Sequence, residues 1–208
     1  MDNFCIIDSP LVKVDVTNLR NKNTSEELFR NSVKRISYTL AIEISKHFEV
    51  KEIDVQTPLE NTTGFQLTHS IVLVPILRAG LGMLDAFLEI MPKARVGHIG
   101  LQRDEETLQP IDYYYKTPRH LEKAKVILLD PMLATGGSSS AAISYLKKSS
   151  AKDIYFASLI SAPEGIKKVT SDHPDIWLFT ASVDRELNER GYIVPGLGDA
   201  GDRTFGTL

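Results

Sequence analysis

The chain has 208 residues, 42% of them hydrophobic and 25% charged, with a formal net charge of −3. That balance suits a water-soluble domain with a substantial core, and it supplies no overall positive field for nucleic acid or an anionic membrane. The lone cysteine, Cys5, excludes an intrachain disulfide, and with no signal-like leader and no long apolar stretch the chain reads as cytoplasmic. Thr24-Ser-Glu-Glu27 is a capping-box signature ahead of Val33, Ile36, Leu40, Ile44 and Phe48, a spacing that predicts an amphipathic helix from about 25 to 48. Ile71 to Ile76 predicts a strand, Gly80 to Ile90 a helix ended by Pro92, and Ala94 to Ile99 a further strand. The polar stretch from Arg103 to Pro110 predicts a loop, and Asp112 to Thr117 a strand returning towards the next one. Val126 to Leu129 has the continuous apolar pattern of a parallel strand covered on both faces. From Ser138 the spacing turns helical, with Ala142, Ile143 and Leu146 on one side. Strands at Ile154 to Ile160 and Ile176 to Ala181 flank a helix near 163–169, and from about Asp184 glycines without periodicity predict loops or a small lobe. Strands alternating with helices predict one α/β domain over 1–208 with a mainly parallel sheet.

Three segments carry chemistry. Asp130 ends an apolar strand and is followed by Pro131, Met132, Leu133, Ala134, Thr135, Gly136, Gly137 and Ser138. Glycines between strand and helix let backbone N–H groups turn inward, and the helix N-terminus adds positive potential, so this turn suits a phosphate. Asp130 beside it suits hydroxyls or a metal-bound ligand. Arg78-Ala-Gly80 is a second turn after a strand, and the Arg78 fork suits phosphate oxygens. Residues 196–201 spell Gly-x-Gly-x-x-Gly, but no helical periodicity is read after it, so a dinucleotide fingerprint is rejected. Close backbone approach there suits a planar base edge of alternating donors and acceptors. The histidines lack ligand spacing and read as structural.

Asp-Pro-Met-Leu-Ala-Thr-Gly-Gly-Ser over residues 130–138 resembles the phosphoribosyl diphosphate (PRPP) signature of type I phosphoribosyltransferases. Most branches carry two adjacent acids; Pro131 in the second place is similar to the uracil phosphoribosyltransferase branch. Arg78-Ala-Gly80 and Tyr192-Ile193-Val-Pro195-Gly196-Leu-Gly198-Asp199-Ala200-Gly201-Asp202-Arg203 extend the likeness. The resemblance implies the type I phosphoribosyltransferase fold with 184–208 as a base-binding hood, and uracil plus PRPP giving UMP and diphosphate. It implies Arg78, Arg103 and Asp130 as catalytic residues. PRPP would be bound by these with residues 131–138 and Asp199. Uracil would be bound by Ile193, Gly198, Asp199 and Ala200. It implies Mg²⁺ held mainly through PRPP with no direct protein ligand, a homodimer or higher homo-oligomer, and GTP as a candidate effector. Two other readings stay open at this point: an RNA-binding regulator of the same fold, against which the acidic balance counts, and an enzyme acting on a purine.

Overall fold

The computed structural model describes residues 3–103 and 110–207, with the backbone alone at 102, 103 and 110–112. In chain order the elements are β1 (Phe4–Ile6), α1 (Pro10–Arg20), α2 (Glu26–Ser45), β2 (Val50–Gln56), β3 (Asn61–Leu67), β4 (Ser70–Leu77), α3 (Leu81–Ile90), β5 (Arg95–Val96), β6 (His98–Arg103) and β7 (Pro110–Lys116). A 3₁₀ turn (Leu121–Lys123) leads into β8 (Ala124–Leu129), β9 (Met132–Leu133), α4 (Gly137–Lys148), β10 (Asp153–Ser161), α5 (Pro163–Asp172), β11 (Trp177–Val183), β12 (Glu186–Leu187), β13 (Ile193–Val194) and α6 (Ala200–Phe205).

One sheet organises the chain, in the order β1-β11-β10-β8-β4-β6-β7, with β5 on β4 and β9 on β10. Every pairing in it is parallel except β6 with β7. The alternation of side chains along each strand divides the core in two. Ile71 and Leu73 of β4 and Ile127 and Leu129 of β8 face α2, whose Phe29, Val33, Ile36, Leu40 and Ile44 are all buried. Val72, Val74, Val126 and Leu128 face the other way, onto Ala142, Ile143 and Leu146 of α4 and Val169 of α5. Strands buried on both faces read as apolar runs, which is why β4, β8, β10 and β11 were legible in the sequence.

Several boundaries differ from expectation. The helix expected over 25–48 is α2, and its cap is Ser25, whose hydroxyl accepts the Leu28 N–H at 3.3 Å. Thr24 instead donates its hydroxyl to the Asn18 carbonyl at 2.7 Å, so the capping-box register is one residue off. The strand expected over 94–99 is broken at Gly97 into β5 and β6. The strand at 112–117 does not return to β8: β7 pairs with β6 at the sheet edge. The expected loop residues 104–109 lie outside the described residues. A short helix, α6, does form, starting inside the glycine motif at Ala200, and the Asp199 side chain caps it by accepting the Asp202 N–H at 2.8 Å. The strand before that motif, β13, pairs only with β12, antiparallel, so the glycines do not follow a strand of the parallel sheet.

The β2–β3 hairpin was not foreseen. Its residues are mostly exposed, with Leu59 94% and Phe65 67% accessible, and it belongs to neither core cluster. With no buried face, it gives the sequence no regular alternation to read. Among the described residues no helix is long and apolar enough to cross a membrane.

Candidate active site

Adjacent parallel strands bring two of the expected segments together. β4 and β8 run side by side with Pro75 opposite Leu129, so the turns that leave their carboxyl ends are neighbours. That edge is where open parallel sheets gather ligands. The turn after β4 holds Arg78, Ala79 and Gly80, and the Leu77–Arg78 peptide is cis. Gly80 seats this turn against β8: a Cβ on it would lie 2.4 Å from the Leu129 carbonyl oxygen and 2.8 Å from the Ile76 N and O atoms. All three neighbours are backbone and cannot move aside cheaply. Gly80→Ala is therefore expected to cost roughly 1–3 kcal/mol of stability through overpacking. Urea denaturation checks this, and an unshifted midpoint would contradict the close approach.

After β8 the chain forms the phosphate-type turn. Asp130 is half-buried, its N–H donates to the Ala157 carbonyl at 3.2 Å, and its Oδ1 accepts the Met132 N–H at 3.3 Å. Desolvation pushes its carboxyl up to about 7, and the Met132 N–H only partly opposes that. Pro131 is buried, and its carbonyl accepts the N–H groups of Leu159 and Ile160, both at 3.1 Å. A carboxylate in its place would have to be desolvated against β10. Met132 and Leu133 form β9 on β10, so two residues of the turn are themselves sheet. Gly136 then takes φ +79° as the N-cap of α4, a conformation L side chains avoid. Having no side chain, Gly136 cannot cap α4 itself; the Gly137 N–H instead points to Thr135 Oγ1 at a long 3.5 Å, and a helix N-terminus of this kind suits an anion.

The third segment docks on the first. Arg78 is half-exposed, and its Nη2 donates to Asp202 Oδ1 at 3.0 Å. The Thr207 hydroxyl, donating at 2.6 Å, and after it Arg78 hold the Asp202 carboxyl below its usual range. A Cβ on Gly201 would stand 3.7 Å from that of Ala79. The turn at 78–80 thus touches the end of β8 on one side and α6 on the other. Ile193 and Ala200 are buried, Gly198 takes φ +83°, and Asp199 is engaged as the cap of α6. Arg103 ends β6, whose Gly100 stands beside Leu77 of β4, so its backbone extends beyond the same edge; its side chain lies outside the described residues.

Asp202 was not singled out by sequence reasoning, although it is the second acid of the Asp-Ala-Gly-Asp-Arg run. Arg203 was also missed. Its guanidinium stacks 4.4 Å over the Phe29 ring and donates to the carbonyls of Leu197 at 2.7 Å, Asn21 at 2.8 Å and Leu19. The histidines lie elsewhere: His47 packs against the Trp177 ring at 4.2 Å, and His173 fastens α5 to the Ser140 carbonyl at 3.0 Å.

The family profile described as uracil phosphoribosyltransferase matches residues 6–207. The chain belongs to the uracil phosphoribosyltransferase family. It is 51% identical over 203 residues to the uracil phosphoribosyltransferase of Fervidobacterium nodosum, covering 97% of this chain and 98% of that one. Its likeness to the Salinibacter ruber uracil phosphoribosyltransferase is 49% over 207 residues, covering 100% and 99%. Among solved structures, a protein from Aquifex aeolicus superposes with a TM-score of 0.93 at 39% identity over 97% of both chains. A hypoxanthine phosphoribosyltransferase from Staphylococcus aureus, 10% identical with a TM-score of 0.53 over 84% and 82% of the two chains, shares the fold. The architecture is that of type I phosphoribosyltransferases, as the 130–138 segment suggested, with a mainly parallel sheet between helices.

Proposed function

We propose that this chain transfers the 5-phosphoribosyl group from PRPP to uracil, releasing diphosphate and forming UMP. The observation that carries this reading is the match to uracil phosphoribosyltransferases over residues 6–207. The meeting of three motif-bearing turns at one sheet edge supports it further.

In this reading Thr135 to Ser138 and the opening N–H groups of α4 hold the 5-phosphate, with the backbone of 131–134 shaping the turn around it. Asp130 orients the ribose hydroxyls. Arg78, with Arg103 from the neighbouring strand end, stabilises the charge that builds on the leaving diphosphate as the anomeric carbon gains oxocarbenium character. The 184–208 region serves as the hood, and Ile193, Gly198, Asp199 and Ala200 present uracil with backbone donors and acceptors. Asp199 lies on the boundary between base and PRPP. Holding the two reactants in one geometry would supply much of the acceleration.

Among the described residues no three His, Cys, Asp or Glu side chains gather to hold a metal. Mg²⁺ usually keeps several waters and binds through substrate phosphates, so the residues fit an ion that would arrive on PRPP without a direct protein ligand, with Asp199 near it. When bound it would neutralise charge on the diphosphate.

Assembly as a homodimer or larger homo-oligomer is supported by the exposed apolar side chains of the β2–β3 hairpin, since the apolar stripe of α2 is fully used within the chain. GTP stays a candidate effector on family likeness alone. The single cysteine suits a reducing, cytoplasmic compartment.

Diphosphate release with PRPP and each of uracil, cytosine, hypoxanthine and orotate tests the activity. Release with uracil above the other bases is the expected result. A preference for hypoxanthine, or no uracil-dependent release, would overturn it.

A further inference from the structure

In the glycine-rich 193–200 segment β12 pairs with 193–194, Arg203 holds the Leu197 carbonyl and Asp199 caps α6. Among the described residues, Gly196 between them has no such neighbour close in sequence, and base recognition through backbone groups needs those groups held still. The structure supplies the fixing from far away in sequence. Arg20, the last residue of α1, meets Asp184, which follows β11 and whose side chain is 1% exposed. The guanidinium grips the carboxylate with both prongs, Nη1 to Oδ2 at 2.7 Å and Nη2 to Oδ1. Nη1 also donates to the Gly196 carbonyl at 3.1 Å, and Asp184 Oδ2 accepts the Gly196 N–H at 2.7 Å. Both polar groups of the Gly196 backbone are therefore held by one ion pair. Gly196 stands at φ +63°, between Ile193 and Gly198.

The same pair is tied to the other half of the site. Asp184 donates its own N–H to the Ser161 carbonyl of β10 at 2.8 Å, and Arg20 Nη2 donates to Ser182 Oγ at 3.2 Å. Two residues earlier on β10, Leu159, and then Ile160, donate to the Pro131 carbonyl in the phosphate turn. A short hydrogen-bonded frame thus runs from the 131 turn through β10 to Gly196. Buried ion pairs are weak devices for stability alone, since well-packed apolar residues often serve as well. A planar two-pronged cation, in contrast, fixes direction, and a lysine could not reproduce it.

We propose that Arg20 and Asp184 are positioning residues for the base: they set the orientation of the Gly196 backbone and through it the uracil-contacting groups at 193 and 198–200. The proposal rests on the reading of that segment as the uracil site, and neither residue touches the reacting atoms.

Steady-state kinetics with uracil and PRPP varied separately test it. Arg20→Ala is expected to raise the KM for uracil roughly 10- to 100-fold, as misplacement of a binding group does, while the KM for PRPP, whose contacts lie mainly at 78 and 130–138, rises far less. Because the Arg20 side chain is 27% exposed, added guanidinium ion can reach the gap and should restore part of the uracil affinity. Arg20→Lys, which keeps the charge and loses the fork, is expected to fold and to show an intermediate rise. A uracil KM unmoved in Arg20→Lys, or both KM values rising together in either variant, overturns the positioning role. Absence of uracil-dependent turnover in the wild-type chain would overturn the activity itself, and this role with it.

Discussion

Replacing Arg78 by alanine is expected to lower kcat and kcat/KM together by about 100- to 1000-fold, the usual cost of losing one group aimed at charge that develops in the transition state. Arg78 is the side chain of its turn best able to do this. It leaves the end of β4 beside the end of β8, it is 57% exposed, and its single described partner is the part-exposed carboxylate of Asp202 at 3.0 Å. Ion pairs so open to water contribute little, so a diphosphate can displace Asp202 at small cost. Arg78→Lys keeps the charge without the fork and should fall between alanine and wild type. Diphosphate release measured across a range of PRPP concentrations reads both constants, and alanine turnover near wild type would remove Arg78 from the mechanism.

Asp130→Ala should be about as damaging to turnover, and Asp130→Asn separates charge from shape. Burial raises the Asp130 carboxyl from 3.8 to about 7. Between those values the folded chain keeps a proton that the unfolded chain has released, so stability falls as pH rises through this window. The unfavourable contribution is absent at the acid end and complete above pH 7. At 1.36 kcal/mol per unit its upper limit is about 4 kcal/mol. Asp130→Asn should therefore be more stable than wild type at pH 8, with the advantage vanishing towards pH 4. Thermal melts across that range check the sign. Ribose hydroxyls donate to the ionised form, so wild-type PRPP affinity should weaken about tenfold per unit below pH 7, and Asp130→Asn should lose that dependence. Parallel pH profiles in the two proteins would show that Asp130 does not meet the ribose.

What the sequence made legible follows from physical contrast. β4, β8, β10 and β11 are buried on both faces and stand out as apolar runs, and α2 carries one uninterrupted stripe from Phe29 to Ile44. α1 went unread although Val12, Val16 and Leu19 keep the i, i+4, i+7 spacing of a buried helix face, because exposed Leu11 and Val14 add apolar residues off that face. β12 and β13 have two residues each and α6 has six, too short for any pattern to repeat. The site divides the same way. Its turns were legible because glycine, arginine and aspartate in tight spacing have few other uses. The Asp202 partner of Arg78 and the Arg20–Asp184 pair were not, because each joins segments that only the folded sheet brings together.

That last separation shapes how the protein comes into being. Arg20 and Asp184 are 164 positions apart, and β1, at the very start, finds its place only beside β11. Contacts this distant in sequence are slow to form. On the ribosome, α1 can pack on α2 as soon as both are made, but β1 must wait for β11 until almost the whole chain has been made. The segment after Asp184 is then the last part to be locked, and removing β1 would leave a strand edge open at β11.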